Sequence, residues 1–304
     1  MIALASIDDA PRAAALLGLA LEDRLSTAAG VRYRMATAQP EDHGRYWKLE
    51  SEGELVGWAH GGLDPFSADR GRAFASVVVH PGRRRRGLGS ALWAVVSAHL
   101  DEIGARRTVT FSGDDDHSKS FTEAQGFRLE STEISSAVDP RRLPPAPASP
   151  PGIDLHPLRA FADDPEQVYQ ADRDSMQDEP GPFDMSGLTF AIWRRIIWDH
   201  PECDLELGAA VVADGIVVGT TFLYADRGTG RGMNGGTGVI SAYRGRGLGL
   251  VLKQYSLGRA AAAGITRVIT QNDGTNAPML AINRKLGYEP FASGHAWILE
   301  RGSS

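Results

Sequence analysis

Apolar residues along the first half of the chain predict a helix, a hairpin, and then strands and helices in turn. Apolar residues at a helical period predict the first helix. Alternating apolar and polar residues on either side of a Glu52-Gly53 turn predict the hairpin. The predicted elements are a helix over 10–25, strands over 46–49, 55–60 and 73–79, a helix over 90–103, a strand over 108–111, a helix over 118–125 and strands within 127–138. Residues 26–44 show no clear period and receive no assignment.

The second half repeats this order of elements. The predicted elements are a strand over 153–155, helices over 165–176 and 188–198, strands over 205–212, 217–224 and 235–240, a helix over 250–263, a strand over 267–270, a helix over 277–286 and a strand over 296–299. Landmarks recur 160 to 162 residues apart: Gly53 matches Gly215, Arg84 matches Arg244, and Gly126 matches Gly287. The chain therefore contains an internal duplication of an α+β unit.

A proline-rich stretch separates the two copies. Residues 139–152 hold six prolines in fourteen positions, which can continue neither a helix nor a sheet. The length of 304 residues also exceeds the roughly 100 to 150 of a typical single domain. We expect an N-terminal domain over 1–138, a stiff linker over 139–152 and a C-terminal domain over 153–304.

Composition and charge fit an ordinary globular protein. With 42% apolar and 23% charged residues and a net charge of −6, the chain lacks the basic balance of a nucleic-acid protein. The single cysteine, Cys203, can form no intramolecular disulfide. Acidic residues precede the apolar run 13–21, and no run approaches the roughly 18 residues of a membrane span. We therefore expect a cytoplasmic protein with no membrane partner and no metal.

A glycine and arginine loop occurs once in each copy, after a strand and before a helix. Its pattern is R-x-x-G-x-G, starting at Arg84 and at Arg244, and it lacks the Gly-Lys-Ser/Thr of a nucleotide-binding P-loop. Glycines let backbone N–H groups converge on an anion at the positive end of the following helix. Each loop is therefore predicted to be a diphosphate site, with a plain strand-to-helix turn as the alternative.

A second motif follows only the later loop. Residues 271–288 contain Asn272 and Asn276, and a helix that ends in Leu-Gly-Tyr. Strand, R-x-x-G-x-G loop, helix, strand and Asn-x-x-x-Asn together resemble the acyl-coenzyme A site of the GNAT-type N-acetyltransferase superfamily. The resemblance covers most of the chain and implies an α+β fold of two tandem GNAT domains. Each domain would be a mixed, mostly antiparallel sheet flanked by helices.

The resemblance implies that acetyl-CoA lies between the strands that end at Ile240 and Thr270. Backbone N–H groups near Thr237 and Val239 would bind the pantetheine and the thioester oxygen, where a fixed donor stabilises developing negative charge. Asn272 and Asn276 would bond the pantetheine arm, although Asn276 is equally suited to cap its helix. The implied cofactor-binding residues are Val239, Ile240, Arg244, Gly245, Arg246, Gly247, Leu248, Gly249, Leu250, Asn272 and Asn276, with Arg84, Gly87 and Gly89 in the first copy.

The catalytic groups depart from the family pattern. The implied catalytic residues are Thr237, Val239 and Asn283, but Asn283 stands where many members have the tyrosine that protonates the leaving thiolate. An amide cannot release a proton near neutral pH. Substitutes for the acid are Tyr224, Tyr243 and Tyr255, and candidates for the base, by residue type only, are Glu206, Asp226, His200 and His295. The acidic loop 178–187 is compatible with a cationic amine acceptor or with an ordinary exposed loop.

The first copy keeps the loop but loses the rest of the motif. Asp115 and Thr122 stand where the family usually has Asn and Tyr, and carboxylates at 114–116 would repel a polyanion if they faced it. We expect a degenerate N-terminal domain that is structural or binds CoA without turnover. The arginine run 83–86 could instead be a nucleic-acid patch, but the acidic chain argues against this.

The sequence thus predicts an N-acetyltransferase that moves an acetyl group from acetyl-CoA to a primary amine, small or peptidic, by direct attack in the C-terminal domain. Two alternatives stay open. One is a non-catalytic CoA-binding or regulatory module, and the other is a GNAT-fold transferase with an aminoacyl-tRNA donor. A homodimer is also left open.

Overall fold

The computed structural model describes residues 1–147, 150–176 and 181–302, which form two compact units. Unit 1 comprises Met1–Thr132, Ser186–Leu188 and residues 294–302, and unit 2 comprises the described residues within 133–185 and 189–293. Parts of the predicted linker (Ala148 and Ser149) and of the acidic loop (Asp178, Glu179 and Pro180) lie outside the described residues. Every helix within the described ranges is too short or too polar to cross a bilayer.

Unit 1 is a sheet flanked by helices. Its strands are β1 (Ile2–Leu4), β2 (Arg45–Ser51), β3 (Glu54–Leu63), β4 (Arg72–Val79) and β5 (Arg107–Gly113), and its helices are α1 (Ala10–Ala20), α2 (Ala28–Thr37), α3 (Leu88–Glu102) and α4 (Asp116–Ala124). Helix α2 lies within residues 26–44, where the sequence predicts no element because the apolar residues follow no single helical stripe. It begins at Thr27, whose hydroxyl accepts a hydrogen bond from the Gly30 N–H at 3.0 Å.

Unit 2 repeats this architecture. Its strands are β6 (Arg128–Val138), β7 (Ile153–Pro157), β8 (Ala209–Ala213), β9 (Ile216–Asp226), β10 (Arg231–Val239) and β11 (Arg267–Asp273), and its helices are α5 (Glu166–Met176), α6 (Phe190–Trp193), α7 (Leu248–Ala262) and α8 (Ala277–Lys285). A π-helical turn over Arg194–Trp198 continues α6. The strand predicted over 205–212 begins only at Ala209, since the Asp204 side chain accepts from the Glu206 N–H and closes a turn there.

Among the described residues, the sheet of each unit contains one parallel pair beside antiparallel ones. β4 and β5 are parallel in unit 1, and β10 and β11 are parallel in unit 2. Helix α3 packs Leu92, Val96 and Leu100 into the core of unit 1, and α7 contributes Leu248, Leu252 and Leu257 to the cores of unit 2. This is the mixed, mostly antiparallel α+β sheet that the sequence predicted.

Each unit takes a strand from the opposite half of the chain. In unit 1, β5 pairs with residues 294–300 of a twelfth strand, β12 (Glu289–Glu300), from Gly113↔Gly294 to Arg107↔Glu300. In unit 2, β11 pairs with residues 133–138 of β6, from Val268↔Val138 to Asp273↔Glu133. An offset of about 161 residues relates these two pairings, as it does the repeats. The duplicated copies have therefore exchanged equivalent strands.

Candidate functional site

The two parallel strands of unit 2 separate halfway along β10. They are paired from Arg231↔Arg267 to Asn234↔Thr270, and a β-bulge interrupts β10 between Asn234 and Gly236. β10 then continues beside β9 to Val239, while β11 continues beside β6 to Asp273. Within the described ranges no registered pair joins β10 to β11 beyond the bulge, so the edge of residues 236–239 that faces β11 is open.

Backbone alternation decides which amides face this open edge. The Ile240 N–H donates to the Val218 carbonyl of β9 at 3.0 Å. Successive N–H groups of a strand point to opposite sides, so the N–H groups of Val239 and Thr237 point away from β9. The Thr237 hydroxyl lies 2.7 Å from Thr221 Oγ1 and 3.2 Å from Asn234 Oδ1, which fixes its side chain at the bulge. The backbone N–H groups of Val239 and Thr237 are thus presented at the edge.

The glycine loop follows β10 directly. After a 3₁₀ turn over Ser241–Tyr243, Gly245 and Gly247 adopt φ angles of +77° and +76°, where a side chain would be strained. A Cβ at either position would meet no atom within 4 Å, so the loop backbone is open to solvent. Helix α7 starts at Leu248, and the N–H groups of Leu250 and Val251 donate to the Gly247 carbonyl. The N–H groups of Leu248 and Gly249 come before these first bonds of the helix. The loop can therefore hold an anion on its backbone.

Side chains around the loop mostly stabilise it. Arg244 Nε donates to the Val239 carbonyl at 2.9 Å, and its Nη2 donates to the Ser175 carbonyl of α5 at 3.2 Å. Leu248 is buried, and Val239 and Ile240 pack against the same apolar cluster. A Cβ at Gly249 would lie 3.2 Å from Ile282 Cδ1 of α8, so the start of α7 packs closely on α8. The exposed guanidinium of Arg246 stacks on the Tyr243 ring at 4.8 Å.

Unit 1 builds the same loop independently. Gly87 has φ +76°, like Gly247, and Arg85 takes φ +66° where unit 2 has Gly245. Arg84 Nε donates to the Val79 carbonyl at 3.4 Å, as Arg244 does to Val239. A Cβ at Gly89 would lie 3.4 Å from the Phe121 ring of α4, in ordinary contact. The sequence motif therefore specifies one backbone conformation at both positions.

Three polar residues that are distant in sequence meet between α7, α8 and β11. Lys253 of α7 is 2% exposed, and its Nζ donates to Asn283 Oδ1 at 2.7 Å. Asn283 of α8 is also buried, and its Nδ2 donates to Asn272 Oδ1 of β11 at 2.6 Å. The Lys253 Nζ lies 4.9 Å from the centre of the Tyr288 ring. Sequence reasoning identified the two asparagines but missed Lys253.

Asn276 lies apart from this group and caps α8. Its Oδ1 accepts from the Met279 N–H at 3.2 Å, and Pro278 occupies the first turn. The capping role predicted for Asn276 is thus confirmed, and its predicted bond to the pantetheine stays a prediction.

All four candidates for a general base have partners within the protein. Glu206 forms an ion pair with Arg259 at 2.8 Å, and Asp226 accepts from the Gly228 and Thr229 amides in a turn. His295 belongs to unit 1, where its Nε2 lies 2.8 Å from Asp114 Oδ1. The fourth, His200, is buried, and its Nδ1 accepts from the Glu202 N–H at 3.3 Å and lies 3.8 Å from Glu202 Oε2. Its ring lies 5.7 Å from that of Tyr224. His200 is therefore the candidate placed beside Tyr224.

Tyr224 is the candidate tyrosine that lies at the bulge of β10. It pairs with Met233, and a Cβ at Gly235 would overlap its ring. The other two contact arginines: Tyr243 lies under Arg246, and Tyr255 lies 5.8 Å from the Arg259 guanidinium. Burial raises the pKa of Cys203 to about 12, so this thiol is not a nucleophile near neutral pH. Across the described residues, no three His, Cys, Asp or Glu side chains are grouped for a metal ion.

Helix α5 presses on the open part of β10, a contact that the sequence did not predict. A Cβ at Gly238 would overlap the Ser175 hydroxyl of α5, so only glycine fits there. One turn earlier, the buried Asp172 accepts from Trp193 Nε1 at 2.8 Å and from Thr220 Oγ1 at 3.2 Å. These bonds hold α5 against α6 and β9.

The residues that differ from the family pattern in unit 1 are held by neighbours. Asp115 caps α4 by accepting from the Ser118 N–H at 3.0 Å, and Thr122 is buried and donates to the Ser118 carbonyl. Arg85 contacts His117 at 3.0 Å. These groups stabilise unit 1 itself.

Comparison with known proteins identifies the family. A model described as the acetyltransferase (GNAT) family matches residues 16–127 and again residues 166–288. A mycothiol acetyltransferase of Saccharomonospora viridis is 30% identical over 262 residues, covering 78% of this chain and 76% of the relative. One of Tsukamurella paurometabola is 29% identical over 290 residues, covering 90% and 91%.

Solved structures share the fold over the whole chain. A GCN5-related N-acetyltransferase from Sphaerobacter thermophilus has a TM-score of 0.74 at 22% identity, covering 99% of this chain and 95% of that one. A tandem GNAT protein from the clavulanic acid biosynthesis pathway has a TM-score of 0.73 at 23% identity, covering 100% and 99%. The predicted fold of two tandem GNAT domains is thereby confirmed.

Proposed function

The chain belongs to the acetyltransferase (GNAT) family and is an N-acetyltransferase, and we propose that its C-terminal half moves an acetyl group from acetyl-CoA to a primary amine. The observation that carries this proposal is the open edge of β10 leading directly into the open glycine loop. Together they offer backbone N–H donors at the strand edge and at the start of α7 to a ligand with an anionic end and an amide-rich arm. The amides of Ile240, Tyr243 and Arg244 between them donate within the protein.

The loop Arg244–Leu250 would hold the diphosphate of acetyl-CoA. Its glycine backbone is unobstructed, and the positive end of α7 favours an anion there. Arg246 is exposed and adds positive charge, while Arg244 fixes the loop. Asn272 and Asn276 would bond the pantetheine arm. Bound acetyl-CoA supplies the acetyl group as a reactive thioester.

The N–H of Val239 would bind the thioester oxygen. It points away from β9, and the neighbouring β9 pairing fixes its position before the reaction begins. A fixed donor stabilises the negative charge that develops on this oxygen when an amine attacks. The N–H of Thr237 would contact the adjacent part of the pantetheine, and Asn283 would act through its bond to Asn272.

For the acceptor, we propose a small primary amine of the mycothiol system, following the names of the relatives. The buried His200 and Glu202 beside Tyr224 are the groups we propose for removing the proton from this amine. The N-terminal half would have a structural role, because Asp115 caps α4 with a carboxylate, which offers no N–H donor where the Asn276 amide has one. Thr122 is bonded within α4.

The second candidate for the C-terminal half is a module that binds CoA without turnover. Asn283 favours it, since an amide that is buried and bonded on both sides cannot protonate a leaving thiolate. Calorimetric titration with CoA and acetyl-CoA, followed by an amine screen for free-thiol release, separates the two. The screen includes the unacetylated amine form of mycothiol. Acetyl-CoA binding without acceptor-dependent thiol would support the module.

Charge at position 247 tests the diphosphate assignment. Asp and Asn tolerate positive φ and have the same shape, and position 247 has room for either. Gly247→Asp should therefore weaken acetyl-CoA binding at least about tenfold more than Gly247→Asn, because only Asp places a negative charge at the site. Equal affinities in calorimetry would show that the diphosphate binds elsewhere.

The same pair of substitutions at Gly87 is the matched control. Gly87 has the same φ and the same free space in unit 1. Turnover by Gly87→Asp should stay within about twofold of that by Gly87→Asn. A larger loss in the folded variant would show that the N-terminal half carries the activity.

A further inference from the structure

Lys253 is a buried cation with no role in the proposed chemistry. It lies on the inner face of α7, and lysines are almost never fully buried without a specific partner. Its partner is the Asn283 side chain at 2.7 Å, and on another side it meets the Tyr288 ring. An apolar residue of similar length would pack there without the cost of burying a charge.

The lysine determines how two amides are oriented. An ammonium group only donates hydrogen bonds, so the atom of Asn283 that faces it must be the oxygen. The Asn283 Nδ2 is then turned the other way, and it donates to Asn272 Oδ1 at 2.6 Å. This bond uses the Asn272 oxygen and leaves the Asn272 Nδ2 as its donor for a ligand. One donor-only group thus sets the direction of the whole chain of bonds.

Asn272 lies where the parallel strands have already separated. The last pair of β10 and β11 is Asn234↔Thr270, and Asn272 lies two residues beyond it. We propose that Lys253 is a positioning residue for the acetyl transfer. Through Asn283 it orients Asn272 so that amide N–H donors, rather than a carbonyl, are available to the pantetheine arm of acetyl-CoA. This inference rests on the proposed function of the C-terminal half.

The protonation state of Lys253 gives the inference a second readout. Burial lowers the pKa of Lys253 to about 7, and no charged group contributes to this change. The titratable group that faces it among the described residues is Tyr288, whose pKa burial raises, so Tyr288 stays neutral. A neutral amine can accept as well as donate. Loss of the Lys253 proton therefore removes the constraint on the Asn283 amide.

Lys253→Met tests the inference, since methionine fills similar space without donating. We expect the dissociation constant of acetyl-CoA to rise about tenfold, the factor that corresponds to one hydrogen bond, with a fall in kcat of similar size. The wild-type profile of kcat/KM should lose activity as pH rises through about 7, and the variant should lack this step. Lys253→Gln, which can still donate, should recover part of the affinity.

Ser256→Ala is the matched control on the same helix. Ser256 is equally buried, but its hydroxyl donates to the Leu207 carbonyl and has no bond to Asn283. Its removal should lower stability and leave the acetyl-CoA affinity and the pH profile unchanged. The inference is overturned if Lys253→Met and Lys253→Gln both bind and react like the wild type within about twofold. Failure of the wild type to bind acetyl-CoA would overturn the proposed function as well. If the wild type binds acetyl-CoA without turnover, only the proposed reaction is overturned. The acetyl-CoA affinities of Lys253→Met and Lys253→Gln then still test the inference.

Discussion

At the scale of single residues, Lys253 makes the stability of the protein depend on pH. Its pKa is about 7 in the fold and 10.5 in its ordinary state. Between these values the unfolded chain binds the proton and the folded chain does not, so this residue favours folding more as pH rises. Below pH 7 both the folded and the unfolded state hold the proton. The folded state then bears the full free-energy cost of burying the charged ammonium group.

We therefore predict that Lys253→Met stabilises the protein more at pH 6 than at pH 9. The gap between variant and wild-type free energies of unfolding should shrink by a few kcal/mol across this range, since each pKa unit corresponds to about 1.4 kcal/mol. Denaturant unfolding at a series of pH values measures it. For Ser256→Ala the gap to wild type should stay constant, and a constant gap for Lys253→Met would contradict the low pKa.

Features formed by residues close in sequence could be predicted, whereas contacts between residues that only packing brings together could not. The sequence predicts the loop because glycine readily adopts positive φ, and Gly245 and Gly247 have φ near +77°. It predicts the Asn276 cap because a cap bonds an amide three residues away. Lys253 and Asn283 are 30 positions apart, and only the packing of α7 on α8 brings them together. Lys253 looked like any polar residue of a helix until its burial was known.

At the scale of elements, the contact between α5 and β10 shapes the open edge. Gly238 has no side chain, and the Ser175 hydroxyl occupies the space that a Cβ would need. Arg244 also donates to the Ser175 carbonyl, so the end of α5 touches both the strand and the loop. A shift of α5 would therefore disturb the two parts of the proposed acetyl-CoA site together.

Gly238→Ala should move α5 and cost about 1 to 3 kcal/mol of stability, the usual cost of overpacking. It should also weaken acetyl-CoA binding, because the loop loses its support. Adding Ser175→Gly removes the hydroxyl and the Cβ that clash, and should restore most of the affinity. Thermal unfolding and calorimetry on the single and double variants check this. If the losses of stability and affinity in the double variant equal the sum of those in the two single variants, the two residues do not compete for the same space.

At the scale of the whole molecule, strand exchange governs which residues stabilise which unit. Trp297 comes late in the chain, yet it is 2% exposed in the core of unit 1 with Trp93 and Phe127, and its Nε1 donates to Ser112. The sequence predicted the strand at 296–299, but alternation along a strand does not name its partner. The pairing of residues 294–300 with β5 is a long-range contact that the local sequence pattern does not predict.

Trp297→Ala should destabilise unit 1 by about 3 to 5 kcal/mol, as expected for a large aromatic removed from a core. Hydrogen exchange should accelerate in β3, β4 and β5 and stay near the wild-type rate in β8 and β9. As a comparison, Leu257→Ala removes a buried residue of unit 2 and should give the reverse pattern. Faster exchange in β8 and β9 of the Trp297 variant would contradict the assignment of this strand to unit 1.

The exchanged strands also set the order in which the protein can fold during synthesis. All residues of unit 2 lie between 133 and 293, so its sheet is complete in sequence before residue 294 is made. Unit 1 begins with the first residue, but β5 waits for residues 294–300 to gain its last partner. Until then β5 is an unpaired edge, the kind of surface that recruits foreign strands. The half of the chain that is made first is therefore the last to be finished, and on the ribosome it is the half that depends longest on protection from aggregation.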